Sequence, residues 1–158
     1  MAKVREKAIK DIIEDVELEQ IIRKCKVCHL GMIDQDQPYV LGFNFGYSNK
    51  TIWLHGAKEG KKIDVIQANN NVCVYFDTDH ELFFRDEPVA CSWRWRYRSV
   101  LAYGKAIILE DFDQKVEGLN IIMKNFTDRT FEYSKPAINN VMVMKIQIDR
   151  WTGRSFEY

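Results

Sequence analysis

Two short stretches hold side chains whose types and spacing could do chemistry. CKVCHLGM, residues 25–32, sets Cys25, Cys28 and His29 in the Cys-x-x-Cys-His order by which a c-type haem is attached. The same cysteines could instead hold zinc or form a redox disulfide. LHGAKEGKK, residues 54–62, puts His55 ahead of Gly56 and Gly60 and ends in Lys61 and Lys62. Glycines let the backbone approach a ligand closely, and unpaired amides at a helix start attract anions. With Lys58, Lys61 and Lys62 adding positive charge, this stretch could cradle a phosphate, although its glycine spacing is not that of a Walker A loop. A solvated helix start with ordinary surface lysines fits the same letters.

Two further stretches are shaped for contact. If SWRWRYRSV (92–100) is a strand, Trp93, Trp95 and Tyr97 share one face and Arg94, Arg96 and Arg98 the other. The aromatic face can pack in a core or against a flat ligand, while the arginine face can meet phosphate, solvent or a partner subunit. Interleaved arginines and aromatics also suit stacking on nucleic acid. However, Lys plus Arg equals Asp plus Glu, at 23 each, and a neutral chain has no overall field to draw it to nucleic acid or an anionic membrane. PYVLGFNFGY (38–47) reads as one strand, with Tyr39, Leu41, Phe43 and Phe45 on one face. Its other face is small and polar, with Asn44 as the hydrogen-bonding group if a ligand lies there, and glycines marking bulges or crowded packing fit the same letters. Cys73 and Cys91 read as small buried hydrophobes, and His80 as a loop or strand-edge residue.

These stretches need elements to position them. The spacing of Ile12, Ile13, Val16, Ile21 and Ile22 predicts an amphipathic helix over about 10–24. Strand-like runs follow at 26–34 and 38–47, then Ser48-Asn49-Lys50 as a hairpin turn into TIWLH. A short helix over 58–69 buries Ile63 and Ile66 and stops at Asn69-Asn70-Asn71. VCVYFDTD, ELFF, residues 91–109 and VMVMKIQIDRW read as further strands, and Asp111 or Asp113 caps a helix running to about Asn125. About six strands arriving mostly as hairpins, with three helices outside them, predict a mainly β chain built as a small antiparallel barrel. The 158 residues, 46% of them hydrophobic, are enough for a single domain spanning 1–158. The amino-terminus lacks the apolar core of a secretory signal, and no window approaches the ~20 apolar residues of a membrane span. The expected location is the cytoplasm, where thiols stay reduced.

In order along the chain, these stretches resemble the flavin-binding split-barrel proteins related to pyridoxamine 5′-phosphate oxidase, and within them the NimA-like group named for 5-nitroimidazole resistance. The residues that carry the resemblance are Cys28-x-Leu30-Gly31-Met32, Pro38-Tyr39-Val40 with Asn44-Phe45-Gly46-Tyr47, His55-x-Ala57-x-x-Gly60-Lys61-Lys62, and Tyr97-Arg98-Ser99-Val100 with Gly104. Glu110-Asp111 and Thr152-Gly153-Arg154 also fit. The resemblance implies a homodimer of six-stranded antiparallel split β-barrels, with flavin mononucleotide (FMN) held at the subunit interface. It gives the flavin phosphate to His55, Ala57, Lys61 and Lys62, lines the isoalloxazine with Asn44, and adds Tyr97, Arg98 and Ser99 from a later strand. His55 would be the catalytic residue, and no metal is implied. Val40-Leu41-Gly42 stands where many relatives carry Val-Val-Pro, and the doubled Trp before Tyr97 could reshape the substrate side or admit the larger flavin FAD. Residues for a vitamin B6 substrate are not recognisable.

The expected function is therefore an FMN-dependent reductase of small oxidised acceptors, nitroaromatics among them. A flavin carrier or sensor without turnover and a haem-binding split barrel are the alternatives. On the first barrel strand, Cys28, Leu30 and Met32 face one way and His29 and Gly31 the other, while Cys25 ends the preceding helix. The apparent haem tag then arises where a helix end runs into a core strand.

Overall fold

The computed structural model describes residues 8–158. The first seven residues, on which part of the signal-peptide reading rests, lie outside them. Among the described residues eight strands are present: β1 (Ile9–Ile12), β2 (Cys28–Asp34), β3 (Gln37–Phe43), β4 (Phe45–Ser48), β5 (Thr51–Ala57), β6 (Asn71–Phe83), β7 (Arg94–Ile108) and β8 (Val141–Phe156). They hydrogen-bond in the order β3-β2-β6-β7-β8-β5-β4, with β1 added to β8. Among the described residues four α-helices accompany them: α1 (Asp15–Lys24), α2 (Lys61–Ala68), α3 (Phe112–Lys124) and α4 (Lys135–Asn139). The mainly β, antiparallel class read from the sequence holds.

The chain divides into two compact units. One comprises residues up to Cys25, Phe76–Leu101 and Trp151–Tyr158; the other comprises Lys26–Tyr75 and Ala102–Arg150. In the first unit, α1 buries Leu18, Ile21 and Ile22. Here the sequence reading needs correction, because the helix starts at Asp15 and residues 9–12 are a strand paired antiparallel with Gly153–Phe156 of β8. Ile9 and Ile12 fit a helical stripe by spacing, but pairing with β8 satisfies their backbone groups instead. Ile13 and Val16, counted on the buried stripe, are 79% and 67% exposed.

In the second unit, β2 and β3 form a hairpin around Gln35-Asp36, and β4 and β5 form one around Asn49-Lys50. Asn49 and Lys50 have φ of 49° and 54°, the left-handed pair that matches a two-residue loop to the twist of its strands. The expected single strand 38–47 is two strands, broken at Asn44: β3 pairs with β2 and β4 with β5. One residue outside both ladders lets the chain change partners, so alternation does not carry across 44. This break and the amino-terminal strand each add a strand to those expected, while VCVYFDTD and ELFF, read as two runs, join in the single strand β6. Asp111 caps α3 by accepting a hydrogen bond from the Gln114 amide, as expected. Against α3, Trp53, Leu109, Ile122 and Val143 form a buried cluster.

Where β7 passes β8, Gly104 admits the neighbouring backbone: a Cβ there would lie 2.2 Å from the Gln147 carbonyl oxygen. Gly104→Ala should therefore cost about 1–3 kcal/mol in denaturant unfolding, because backbone rather than a side chain would have to move. Gly42→Ala, which meets nothing within 4 Å, is the control and should leave the midpoint nearly unchanged.

Candidate functional site

In the second unit β5 runs through His55, Gly56 and Ala57 into the turn Lys58-Glu59-Gly60, and α2 begins at Lys61. Gly60 takes φ of 116°, a conformation that side chains oppose, and no side chain caps the helix it precedes. The first amides of a helix have no partner within it, so this corner presents backbone donors outward. Ala57, Lys58, Glu59, Gly60 and Lys61 are all exposed.

The two consecutive lysines diverge. Lys62 is half-buried and arches over β5: a Cβ on Gly56 would meet its Cε at 3.3 Å and its Nζ at 3.8 Å. Lys61 turns toward the β2–β3 hairpin, its Nζ 2.8 Å from Asp34 Oδ2 and 4.7 Å from the centre of the Tyr39 ring. The hydrogen bond and charge of Asp34 raise the pKa of this ammonium.

His55 lies opposite Val143 of β8 and is half-buried, and burial lowers its pKa from the ordinary imidazole value. Asn44 is exposed, one step beyond the Phe45–Leu54 pair, so the register sets it beside His55 at the open end of the β4–β5 hairpin. The structure thus gathers Asn44, His55, Ala57, Lys61 and Lys62 in one unit.

Tyr97, Arg98 and Ser99 lie on β7 in the first unit. Tyr97 packs on Phe156 with ring centres 5.5 Å apart, and Ser99 is buried. Arg98 donates to Asp79 at 2.8 Å and lies 3.9 Å from the centre of the Tyr158 ring. Lys24 holds the same carboxylate at 3.1 Å. Burial opposes the charge on Asp79, but the hydrogen bonds from Arg98 and Lys24 outweigh it and keep the carboxyl below its usual range. The rest of the arginine face is engaged as well. Glu157 accepts from Arg94 and lies 3.3 Å from Arg85, Arg96 reaches Glu81 at 3.5 Å, and the Tyr158 hydroxyl donates to the Asp79 carbonyl. This clasp of the last two residues was not foreseen. Trp93 precedes β7 instead of sharing its alternation; its ring stacks on Phe84 at 4.3 Å. Trp95 is 60% exposed.

The cysteines of the opening motif diverge in role. Cys25 closes α1 and donates to the Ile21 and Asp77 carbonyls, at 3.2 and 3.4 Å. Burial, with the charges of Asp77 and Asp79 adding to it, pushes its thiol up to about 12. Cys28 starts β2 and is fully buried, with His29 on the opposite, exposed face as the alternation required. All four cysteines are free thiols. Cys91 is exposed and Cys73 partly so, against the expectation that both are buried. Sequence reasoning also missed Lys115, which is 6% exposed and donates from α3 to the Ile138 and Val141 carbonyls at 3.2 and 2.9 Å.

The model of the family described as pyridoxamine 5′-phosphate oxidase matches residues 14–155. The chain belongs to this family. A candidate 5-nitroimidazole antibiotic resistance protein from Bacteroides thetaiotaomicron is 39% identical, superposes with a TM-score of 0.83, and is matched over 94% of this chain and 89% of its own. Two more distant structures share the fold. An FAD and heme binding protein from Mycobacterium smegmatis is 15% identical with a TM-score of 0.82, over 94% of this chain and 74% of its own. A flavocytochrome from Azotobacter vinelandii is 16% identical with a TM-score of 0.80, over 94% and 69%. No curated protein sequence matches the chain. The architecture is therefore of the split-barrel type expected from the sequence, in this family's form. No helix of the described residues is long and apolar enough to cross a membrane.

The lowered pKa of His55 makes a pH prediction. Protonating this imidazole is harder in the folded chain than in the unfolded one, so the unfolded state takes up the proton first as pH falls below about 6.5. Stability should decline from there and stop declining below the folded pKa. Thermal unfolding of His55→Gln across that range should show a shallower acid slope than the wild type; equal slopes would mean that His55 is not desolvated.

Proposed function

We propose that the chain binds FMN by its phosphate at the corner where β5 enters α2, and that it is a reductase of small oxidised acceptors, nitroaromatic compounds among them. The observation that carries this is the corner's donor set. It combines an uncapped helix start behind a positive-φ Gly60, a lysine arched over Gly56 beside the Met142 methyl, and exposed residues from Ala57 to Lys61. Amides and a cation at one corner suit a dianionic phosphate, which a helix start favours further through its dipole. Family membership and the 39% identity to a candidate nitroimidazole resistance protein support the same reading.

When bound, a flavin supplies the redox chemistry, accepting electrons from a reduced donor and passing them to the acceptor. The chain's own part is to hold and orient. Lys62 and the α2 amides would bind the phosphate, and Asn44 would offer its amide to a polar ring edge. His55, whose half-buried position disfavours the charged form, would hydrogen-bond with one ring nitrogen and, on taking up a proton from solvent, pass it to substrate. The proposed working form is a cytoplasmic homodimer with the flavin at the interface between copies, to which Tyr97, Arg98 and Ser99 would add contacts.

The absorption spectrum of the protein as purified tests this reading. Flavin bands, with FMN released on denaturation, are the expected result. FAD in its place would move the choice of flavin, a Soret band would replace the flavin by haem, and a yellow protein inert toward a panel of donors and acceptors would make it a carrier or sensor. His55→Ala should lower acceptor turnover per bound flavin by about a hundredfold, the scale of a lost general acid. Unchanged turnover would take His55 out of the mechanism.

A further inference from the structure

Lys61 and Lys62 are adjacent in sequence, yet only one is available to a ligand at the corner. Lys62 lies on the β5 side, over Gly56. Lys61 lies on the other side of the helix start, held by Asp34 at 2.8 Å and by the Tyr39 ring. Successive residues of a helix project about 100° apart, so the two ammonium groups cannot share one direction without a change of rotamer. Asp34 is itself fixed. It ends β2, pairs with Gln37 across the two-residue turn that carries Gln35 at φ of 60°, and its side chain is about two-thirds buried. A cleft of about 490 Å³ runs beside this pair, lined by Asp34, Gln35, Lys61 and Asp64, and it has two carboxylates for its one cation.

We infer that Asp34 is an affinity-determining residue of the proposed phosphate corner: its carboxylate occupies Lys61 and competes with the ligand phosphate for it, leaving Lys62 as the standing cation. The inference rests on the flavin reading and deepens it. A phosphate carrying about −1.5 to −2 charges could recruit Lys61 only by drawing it off Asp34, and would then stand nearer to an uncompensated carboxylate. With Lys61 mostly exposed, an ion pair of this kind is worth only a few tenths to about 1 kcal/mol, which converts to a factor of about two to five in binding. Asp34 would thus limit how tightly a phosphorylated ring is retained, without touching the ring itself.

Flavin affinities of the apoprotein, measured by fluorescence titration with FMN and with riboflavin, test this in a double-mutant cycle. Asp34→Asn should tighten FMN about two- to fivefold and leave riboflavin, which has no phosphate, unchanged. Lys61→Ala in the wild-type background should change FMN affinity less than Lys62→Ala does. Lys61→Ala combined with Asp34→Asn should abolish the gain. Unchanged or weaker FMN binding by Asp34→Asn would overturn the inference, as would an equal gain for riboflavin or a gain that survives loss of Lys61. If the wild type binds neither flavin, the flavin reading itself falls, and the inference with it; FMN binding without the Asp34 effect would sink the inference alone.

Discussion

A helix must begin somewhere, and its first amides then need partners that it cannot supply. The second unit is arranged around one such beginning. Gly60 turns the chain from β5 into α2 in a conformation that other residues oppose, and no side chain folds back to cap the amides. The β5–β8 pairing fixes where β5 ends, because Ala57 is its last paired residue, opposite Val141. Ile63, Val65 and Ile66 then anchor α2 by burial. With both flanks held, the turn between them can leave donors uncapped without fraying the helix. A rigid scaffold presenting unsatisfied backbone is the usual condition for recognition by a loop.

The balance of charge follows a similar division. In unit one, Lys24 and the four arginines 85, 94, 96 and 98 are matched to Glu81, Glu157 and Asp79. Unit two sets Lys62 over Gly56 at the corner, beside the Met142 methyl. A chain with no net charge can therefore still offer a local positive site, since what a ligand meets is the uncompensated remainder near it, screened beyond about 8–10 Å. The same accounting explains why the arginine and tryptophan stretch, the most basic run by eye, is a weak candidate for anion binding.

Local signals were read well where local physics decides. The Asn49-Lys50 turn, the Asp111 cap, the burial of Ile63 and Ile66 and the end of α1 at Cys25 each depend on residues a few positions apart. What was not legible depends on distant partners. Residues 9–12 pass for helix until Gly153–Phe156 is available to pair with them. Arg98 reads as free until Asp79 and Tyr158 are folded against it, and Lys61 until the 34–37 turn is closed. Asn44 was found as a candidate, but its role in ending one ladder and starting another comes from two different strand partners. Lys115 gave no signal at all, because a lysine on an amphipathic helix looks solvated unless the carbonyls of Ile138 and Val141 are known to lie beneath it.

The clasp made by Glu157 and Tyr158 sets how much of the first unit's positive charge is felt outside it. These two residues hold Arg85, Arg94 and Arg98, and the Tyr158 ring also lies 5.3 Å from Arg96. One acidic and one aromatic side chain thus quiet four neighbouring arginines, two by charge and two by lying under the flat face of a ring. Neutralising Glu157 would unbalance Arg85 and Arg94 together, so a single substitution would make a locally basic strip out of a chain whose overall charge is zero.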